Sequence, residues 1–310
     1  MMKLIFFGSG KFAAGILRCL LERKFIPQLV VTTPPAPAGR GLRLSSSAVD
    51  KISSIAQIET ERPLKLKDKT FLKTFYRIKP DLFLVVDYGR ILPSDLLTVP
   101  YIMPLGIHPS LLPSYRGPAP INWVLINGER KTGITFFKVN EETDGGDIIL
   151  QKEIYVKTDD DYTALFQRLL KEACMAIGDV IKRIEEGNIV LKKQDSTQVS
   201  FAPKIDKKLS HIDWQKKAVD IYNLVRGLRG NGEAWCSFRG RIFRIKRLIP
   251  LSEPAEAVPG SVVYVDKKTL KIASQDKNLS LEELKPEGKN FMDVKSFISG
   301  YRPRVGERFT

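Results

Sequence analysis

The sequence predicts an α/β domain on a mostly parallel sheet, followed by a smaller all-β domain. Three observations predict it. Apolar runs alternate with helix patterns through the first half, one long amphipathic helix closes that part, and short strand-like pieces crowd the last third. At 310 residues the chain is too long for one small core, so two domains are the natural division.

The elements follow in order. KLIFFG (Lys3–Gly8) is a short apolar run ending in glycine, and the helix pattern FAAGILRCLLERK follows it. PQLVVTT is a second apolar run, DLFLVVDYG (Asp81–Gly89) reads as a buried strand, and TGITFFKVN (Thr132–Asn140) reads as another. Asp161–Asn188 reads as a long amphipathic helix with acids at its start and Gly-Asn at its end. Residues 190–208 are polar and irregular and read as a linker between a domain over 1–189 and one over 209–310. In the latter, WQKKAVDIYNLVRGL reads as a helix. AWCSFRG, RIFRIKRLI, GSVVYVD and KTLKIAS then suggest a small barrel or sandwich.

Fifty Lys and Arg against 35 Asp and Glu give a net charge of +15. Residues 200–310 hold 22 of those basic and 13 of those acidic residues. Such an excess favours an acidic partner, nucleic acid above all. The three cysteines are scattered, no signal peptide is recognisable at the N-terminus, and no apolar run approaches membrane-spanning length. These features lead us to expect a cytoplasmic protein that neither spans nor binds a membrane.

Four segments hold candidate chemistry. Gly8-Ser9-Gly10-Lys11-Phe12-Ala13 fits G-x-G-x-x-A, but no acid follows the second strand to bind a ribose. A tight strand-to-helix turn is therefore preferred to a dinucleotide site. Pro34–Arg43 is a Pro/Gly-rich loop carrying Arg40 and Arg43, whose planar forks suit phosphate. Gly106–Ile121 is a proline-bounded loop with His108, one of two histidines in the chain. Histidine there can donate a hydrogen bond or stabilise developing negative charge. The acidic turn Glu141–Asp147 includes Asp144, which is placed to orient His108 or take a proton. With two histidines and no paired cysteines, no metal is expected.

The combination resembles the formyltransferase family that uses 10-formyltetrahydrofolate. The resemblance rests on Tyr88-Gly89, His108-Pro109-Ser110-Leu111-Leu112-Pro113, Arg116-Gly117-Pro118-Ala119-Pro120-Ile121, Thr132-Gly133-Ile134-Thr135 and Asp144-Gly145-Gly146-Asp147. Pro37–Gly41, the junction Phe201–Ile205 with Ile212-Asp213-Trp214, and the endings Gly288–Met292 and Phe297–Gly300 are similar to the branch acting on tRNA. The resemblance implies a Rossmann-like catalytic domain joined to an OB-like barrel. It implies transfer of a formyl group from 10-formyltetrahydrofolate to the α-amine of methionine on initiator tRNA, with the protein expected as a monomer.

The implied roles are as follows. His108 stabilises the oxyanion, and Asp144 sets the state of His108 and helps move protons. Ser110, Leu111, Leu112 and Pro113, with Tyr88, Arg90, Ile91 and Leu92, hold the folate; Arg40 and Arg43 meet the tRNA. Two departures stand out. The family pattern has asparagine two residues before the histidine, where this chain has Gly106, and the tRNA branch usually has Asp-Arg at Pro35-Ala36. Loss of one oxyanion donor can cost about two to three orders of magnitude in rate. Asn122 or a water is a candidate substitute, and restoring asparagine at Gly106 is expected to raise the rate. A formyltransferase acting on a small amine such as a nucleotide-linked sugar, and a tRNA- or folate-binding protein with a weakened site, remain open readings.

Overall fold

The computed structural model describes residues 2–38 and 43–310. The chain divides into two compact units. One comprises Met1–Pro120, Lys131–Tyr155 and Phe166–Pro203, and the other Ile121–Arg130, Val156–Leu165 and Lys204–Thr310.

The strands of the first unit are β1 (Leu4–Gly8), β2 (Leu29–Val31), β3 (Ala36–Ala38), β4 (Arg43–Ser45), β5 (Thr60–Glu61), β6 (Leu82–Val86), β7 (Met103–His108), β8 (Lys131–Lys138) and β9 (Ile148–Tyr155). β3 and β4 pair only with each other, and the rest form one sheet in the order β5-β2-β1-β6-β7-β8-β9. β5 through β7 run parallel, and β8 and β9 are added antiparallel. β1 is buried along its whole length. That is why it reads as a continuous apolar run rather than an alternating one.

Helices α1 (Lys11–Glu22), α2 (Ala48–Ile55), α3 (Lys69–Ile78) and α4 (Ser94–Leu97) follow the early strands, with α5 (Pro120–Ile126) and α6 (Tyr162–Glu185) later in the chain. On one side of the sheet, Phe71 and Phe75 of α3 meet Phe7 and Phe83 in a ring cluster. α1 packs against α6, where Phe12 meets Phe166 edge-on at 5.6 Å. Gly15 permits this approach, since a Cβ there would lie 2.5 Å from Leu170 Cδ2.

In the second unit α7 (Ala218–Leu228) precedes β10 (Ala234–Phe238), β11 (Arg241–Pro254), β12 (Val262–Val265), β13 (Leu270–Ala273), β14 (Lys277–Pro286), β15 (Met292–Asp293) and α8 (Val294–Tyr301). The sheet is antiparallel, in the order β10-β11-β14-β13-β12, with β15 on β14. Phe309 bridges to Phe238 of β10, and Arg308 to Ser261 just before β12, which draws the two outer strands together. The core is aromatic, with Phe238 stacked on Phe309 at 4.4 Å and Phe243 edge-on to Phe297 at 5.5 Å.

Phe83 is fully buried and contacts the rings of Phe7 and Phe75. Phe83→Ala should cost about 3–5 kcal/mol of stability, read as a lowered urea midpoint at unchanged slope. A midpoint near the parent's would mean this cluster is not what holds α3 to the sheet.

Candidate active site

The sheet order places β1 between β2 and β6, so the chain leaves β1 in opposite directions along the sheet. At such a reversal the loops after the two strands diverge and leave a crevice beyond their C-terminal ends. A cavity of about 490 Å³ lies there, lined by Ser9 and Gly10 after β1, by Thr33 and Ser45–Ser47, and by Asp87–Arg90 after β6. Asp87 closes its floor. The Asp87 carbonyl accepts the N–H groups of Ser9 (3.0 Å) and Gly10 (3.1 Å), and its carboxylate accepts that of Phe12. A side chain on Gly10 would run into that carboxylate. The glycine loop thus serves close packing, and its donors go to Asp87 rather than to a pyrophosphate. Asp87 is open to the cavity yet surrounded by protein, and this burial pushes its carboxyl up to about 6.

His108 ends β7 and is 5 % exposed. Its Nε2 lies 2.8 Å from the Tyr115 carbonyl. A carbonyl can only accept, so Nε2 carries a proton. Nδ1 then faces the Asp144 carboxylate at 3.5 Å. Asp144 is the more open of the two, its side chain 20 % exposed against 7 % for His108.

The loop after His108 is tied to the sheet. Ser110 Oγ donates to the Ser114 carbonyl at 2.6 Å, and Thr135 Oγ1 donates to the Ser110 carbonyl and accepts the Leu112 N–H. Gln151 Nε2 donates to the Leu112 carbonyl, and the Leu112-Pro113 peptide is cis. Leu112 packs with Phe137, Ile148 and Val139.

Asp144 is fixed by a network. Its Oδ2 accepts the Gly117 N–H at 2.8 Å, and its carbonyl accepts from Gln194 Nε2 at 2.8 Å. Gln194 also donates to the Gly146 carbonyl, while its Oε1 accepts from the Arg116 guanidinium, which in turn pairs with Glu142 at 2.6 Å. Arg116 and Gln194 are the positioning residues that sequence reasoning missed. Arg116 stood in the quoted motif without a role. Gln194 stood in the polar stretch read as linker, of which Ser200 and Ala202 run along this loop and exchange backbone bonds with Pro113, Arg116 and Ala119.

The structure brings His108 and Asp144 together, with Ser110 beside them. Tyr88 and Leu92 sit in the apolar cluster under the sheet, the Tyr88 ring edge-on to Phe7 at 5.6 Å. Ile91 is 67 % exposed, and Arg90 donates to the carbonyls of Pro63 and Leu64. Leu111 and Pro113 are half-buried. Arg43 is exposed on β4, while Arg40 lies outside the described residues. Asn122 Nδ2 donates to the Gly227 carbonyl at 2.7 Å and its Oδ1 accepts from Asn231. Among the described residues no helix is long and apolar enough to cross a membrane.

The family described as formyl transferase matches residues 2–181, and formyl transferase, C-terminal domain, matches residues 204–302. The methionyl-tRNA formyltransferase of Clostridioides difficile (strain 630) is 35 % identical over 98 % of this chain and 99 % of its own length. That of Clostridium novyi (strain NT) is 34 % identical over 96 % and 97 %. Among solved structures, HypX from Aquifex aeolicus in complex with tetrahydrofolic acid aligns over 99 % of this chain and 48 % of its own, at a TM-score of 0.65 and 16 % identity. An N-formyltransferase from Helicobacter canadensis, in complex with folinic acid and dTDP-3-aminofucose, aligns over 91 % and 99 %, at 0.66 and 19 %. At such identities the two structures speak for the fold alone.

Asp87 gives a pH test. Its folded value of about 6 lies above the ordinary 3.8, so the folded state holds this proton more tightly than the unfolded chain does. The resulting stability is complete below the unfolded value and lost as pH rises through about 6. Asp87→Asn removes that loss. Its melting temperature relative to the parent's should climb between pH 4 and pH 7. A difference that stays flat with pH would mean that Asp87 does not hold its proton more tightly in the folded state.

Proposed function

The chain belongs to the formyl transferase family, and we propose that its His108–Asp144 pair carries formyl transfer from 10-formyltetrahydrofolate to the α-amine of methionine on initiator tRNA. The observation that carries the reading is the pair itself, with both ring nitrogens facing acceptors and an accessible carboxylate in front. When bound, the folate supplies an activated formyl group. Ile91, exposed beside the crevice, and the Ser110–Pro113 loop fit a flat apolar ring with polar edges. The imidazole exchanges the Tyr115 carbonyl for the formyl oxygen as acceptor of its Nε2–H, and so meets the negative charge developing there. Asp144 takes the proton that the attacking amine releases and passes it to the folate nitrogen as that nitrogen's bond to the formyl carbon breaks. The Gly117 N–H keeps the carboxylate aimed at the ring.

The second unit supports an RNA partner. Trp235, Arg244 and Lys285 face one another across β10, β11 and β14. Arg244 directly opposite Lys285 is a like-charge pair, which a sheet carries at a cost. Lys207 lies over the Trp235 ring at 5.5 Å, and Lys246 and Lys285 each lie 5.0 Å from the Phe291 ring. Glu233 and Glu283 pair with Arg244 and Lys246, leaving the row positive. Rings that hold ammonium groups in place suit phosphate contacts along a backbone. The row thus favours tRNA over a small amine as acceptor. We place the catalytic domain over 1–189 and the tRNA-binding domain over 209–310, with Arg40 and Arg43 on the acceptor side.

The first test is transfer itself, with purified protein, 10-formyltetrahydrofolate and methionyl initiator tRNA. Asp144→Asn still accepts the Gly117 N–H but cannot hold the proton, so kcat should fall about 10²- to 10⁴-fold with the fold intact. A parental rate in this variant, or in His108→Ala, would overturn the assignment. Lys246→Gln with Lys285→Gln should raise KM for tRNA and lower the salt slope of binding by about 1–2. An unchanged slope would place the RNA elsewhere.

A further inference from the structure

Gly106 and His108 are two residues apart on β7 and so face the same side of the sheet. Their partners on β8 are Phe137 and Thr135. The pleat thus places the 106 position beside the imidazole, where a side chain would approach whatever His108 contacts. A Cβ at Gly106 would lie 2.5 Å from both Cε1 and Cζ of Phe137, and 3.0 Å from Val139 Cγ2. The far edge of the Phe137 ring therefore fills the space a side chain would need. Phe137 is 4 % exposed and packs with Leu112, Ile148 and Val139. Leu112 is held through its N–H and carbonyl by Thr135 and Gln151. The ring cannot retreat without shifting the Ser110–Pro113 loop.

We propose that Phe137 is a positioning residue that sets the donor count of this site: its ring occupies the place of a side chain at 106, leaves His108 as the side-chain donor that β7 offers the formyl oxygen, and fixes Leu112 of the neighbouring loop. This rests on the reaction assigned above. It also reverses the expectation drawn from the sequence. Asparagine at 106 is barred by an aromatic neighbour, so restoring it alone lowers the rate. The two positions must change together. Leucine at 137 lacks Cε1 and Cζ, the two atoms that stand in the way.

The experiment is a double-mutant cycle of parent, Gly106→Asn, Phe137→Leu and the pair, scored by melting temperature and by single-turnover transfer at saturating folate and tRNA. Gly106→Asn alone should melt lower and transfer at least about tenfold more slowly, and the pair should recover both. His108→Ala placed in the pair should retain about 10- to 100-fold more of its background's rate than His108→Ala in the parent, since a second donor is then present. A merely structural role for Phe137 would not produce that split. Gly106→Asn with parental melting and rate would overturn the proposal, as would a pair that recovers melting but leaves the dependence on His108 unchanged. Melting temperatures decide the steric claim whatever the reaction. The parent's transfer rate decides the reaction reading by itself.

Discussion

Arg116 is a buried cation, 4 % exposed, and the way it is paired shapes the site. A buried charge is tolerated only with partners of good geometry. Its partners are the carboxylate of Glu142 and the carboxamide of Gln194. Glu142 belongs to the turn that carries Asp144, and Gln194 reaches the carbonyls of Asp144 and Gly146 with its other end. Satisfying one guanidinium therefore requires three segments to be in register: the loop after β7, the acidic turn after β8, and the stretch after α6. The separation of Asp144 from His108 follows from that requirement. No short-range preference of either residue would produce it.

The same arrangement absorbs backbone strain. Tyr115 (φ 63) and Asp144 (φ 52) are non-glycine residues in the left-handed region, and both touch His108; Asp87 (φ 43) adopts it at the crevice floor. Aspartate tolerates this region better than most residues, whereas tyrosine does not. Tyr115 is held from both sides, its carbonyl near His108 Nε2 and its N–H donating to Ser200 Oγ at 3.0 Å. Strain of this kind persists where surrounding contacts over-determine the backbone.

Much of this was legible in the sequence. Continuous apolar runs marked β1 and β6, the 3.6-residue pattern marked α6, and the resemblance to the formyltransferase family pointed to His108 and Asp144. β9 and β14 were not singled out, because Gln151-Lys152-Glu153 and Glu282-Glu283 interrupt any apolar run there. Gln194 was invisible for another reason. A side chain that bonds to a backbone 48 residues away leaves no periodic trace, and a polar stretch without period reads as linker. The glycine at 106 was visible as a departure, but its meaning depended on Phe137, which is its neighbour only after the strands pair.

The crevice at the sheet's reversal point carries its own counter-anion. Asp87 stands where a helix start would otherwise offer free N–H groups, and its carboxylate takes the one on Phe12. For anyone designing an inhibitor of this protein, that settles the headgroup. A compound filling the crevice gains from an amine or hydroxyl directed at Asp87. It loses from a phosphate, which meets like charge where a bare helix terminus would have welcomed it.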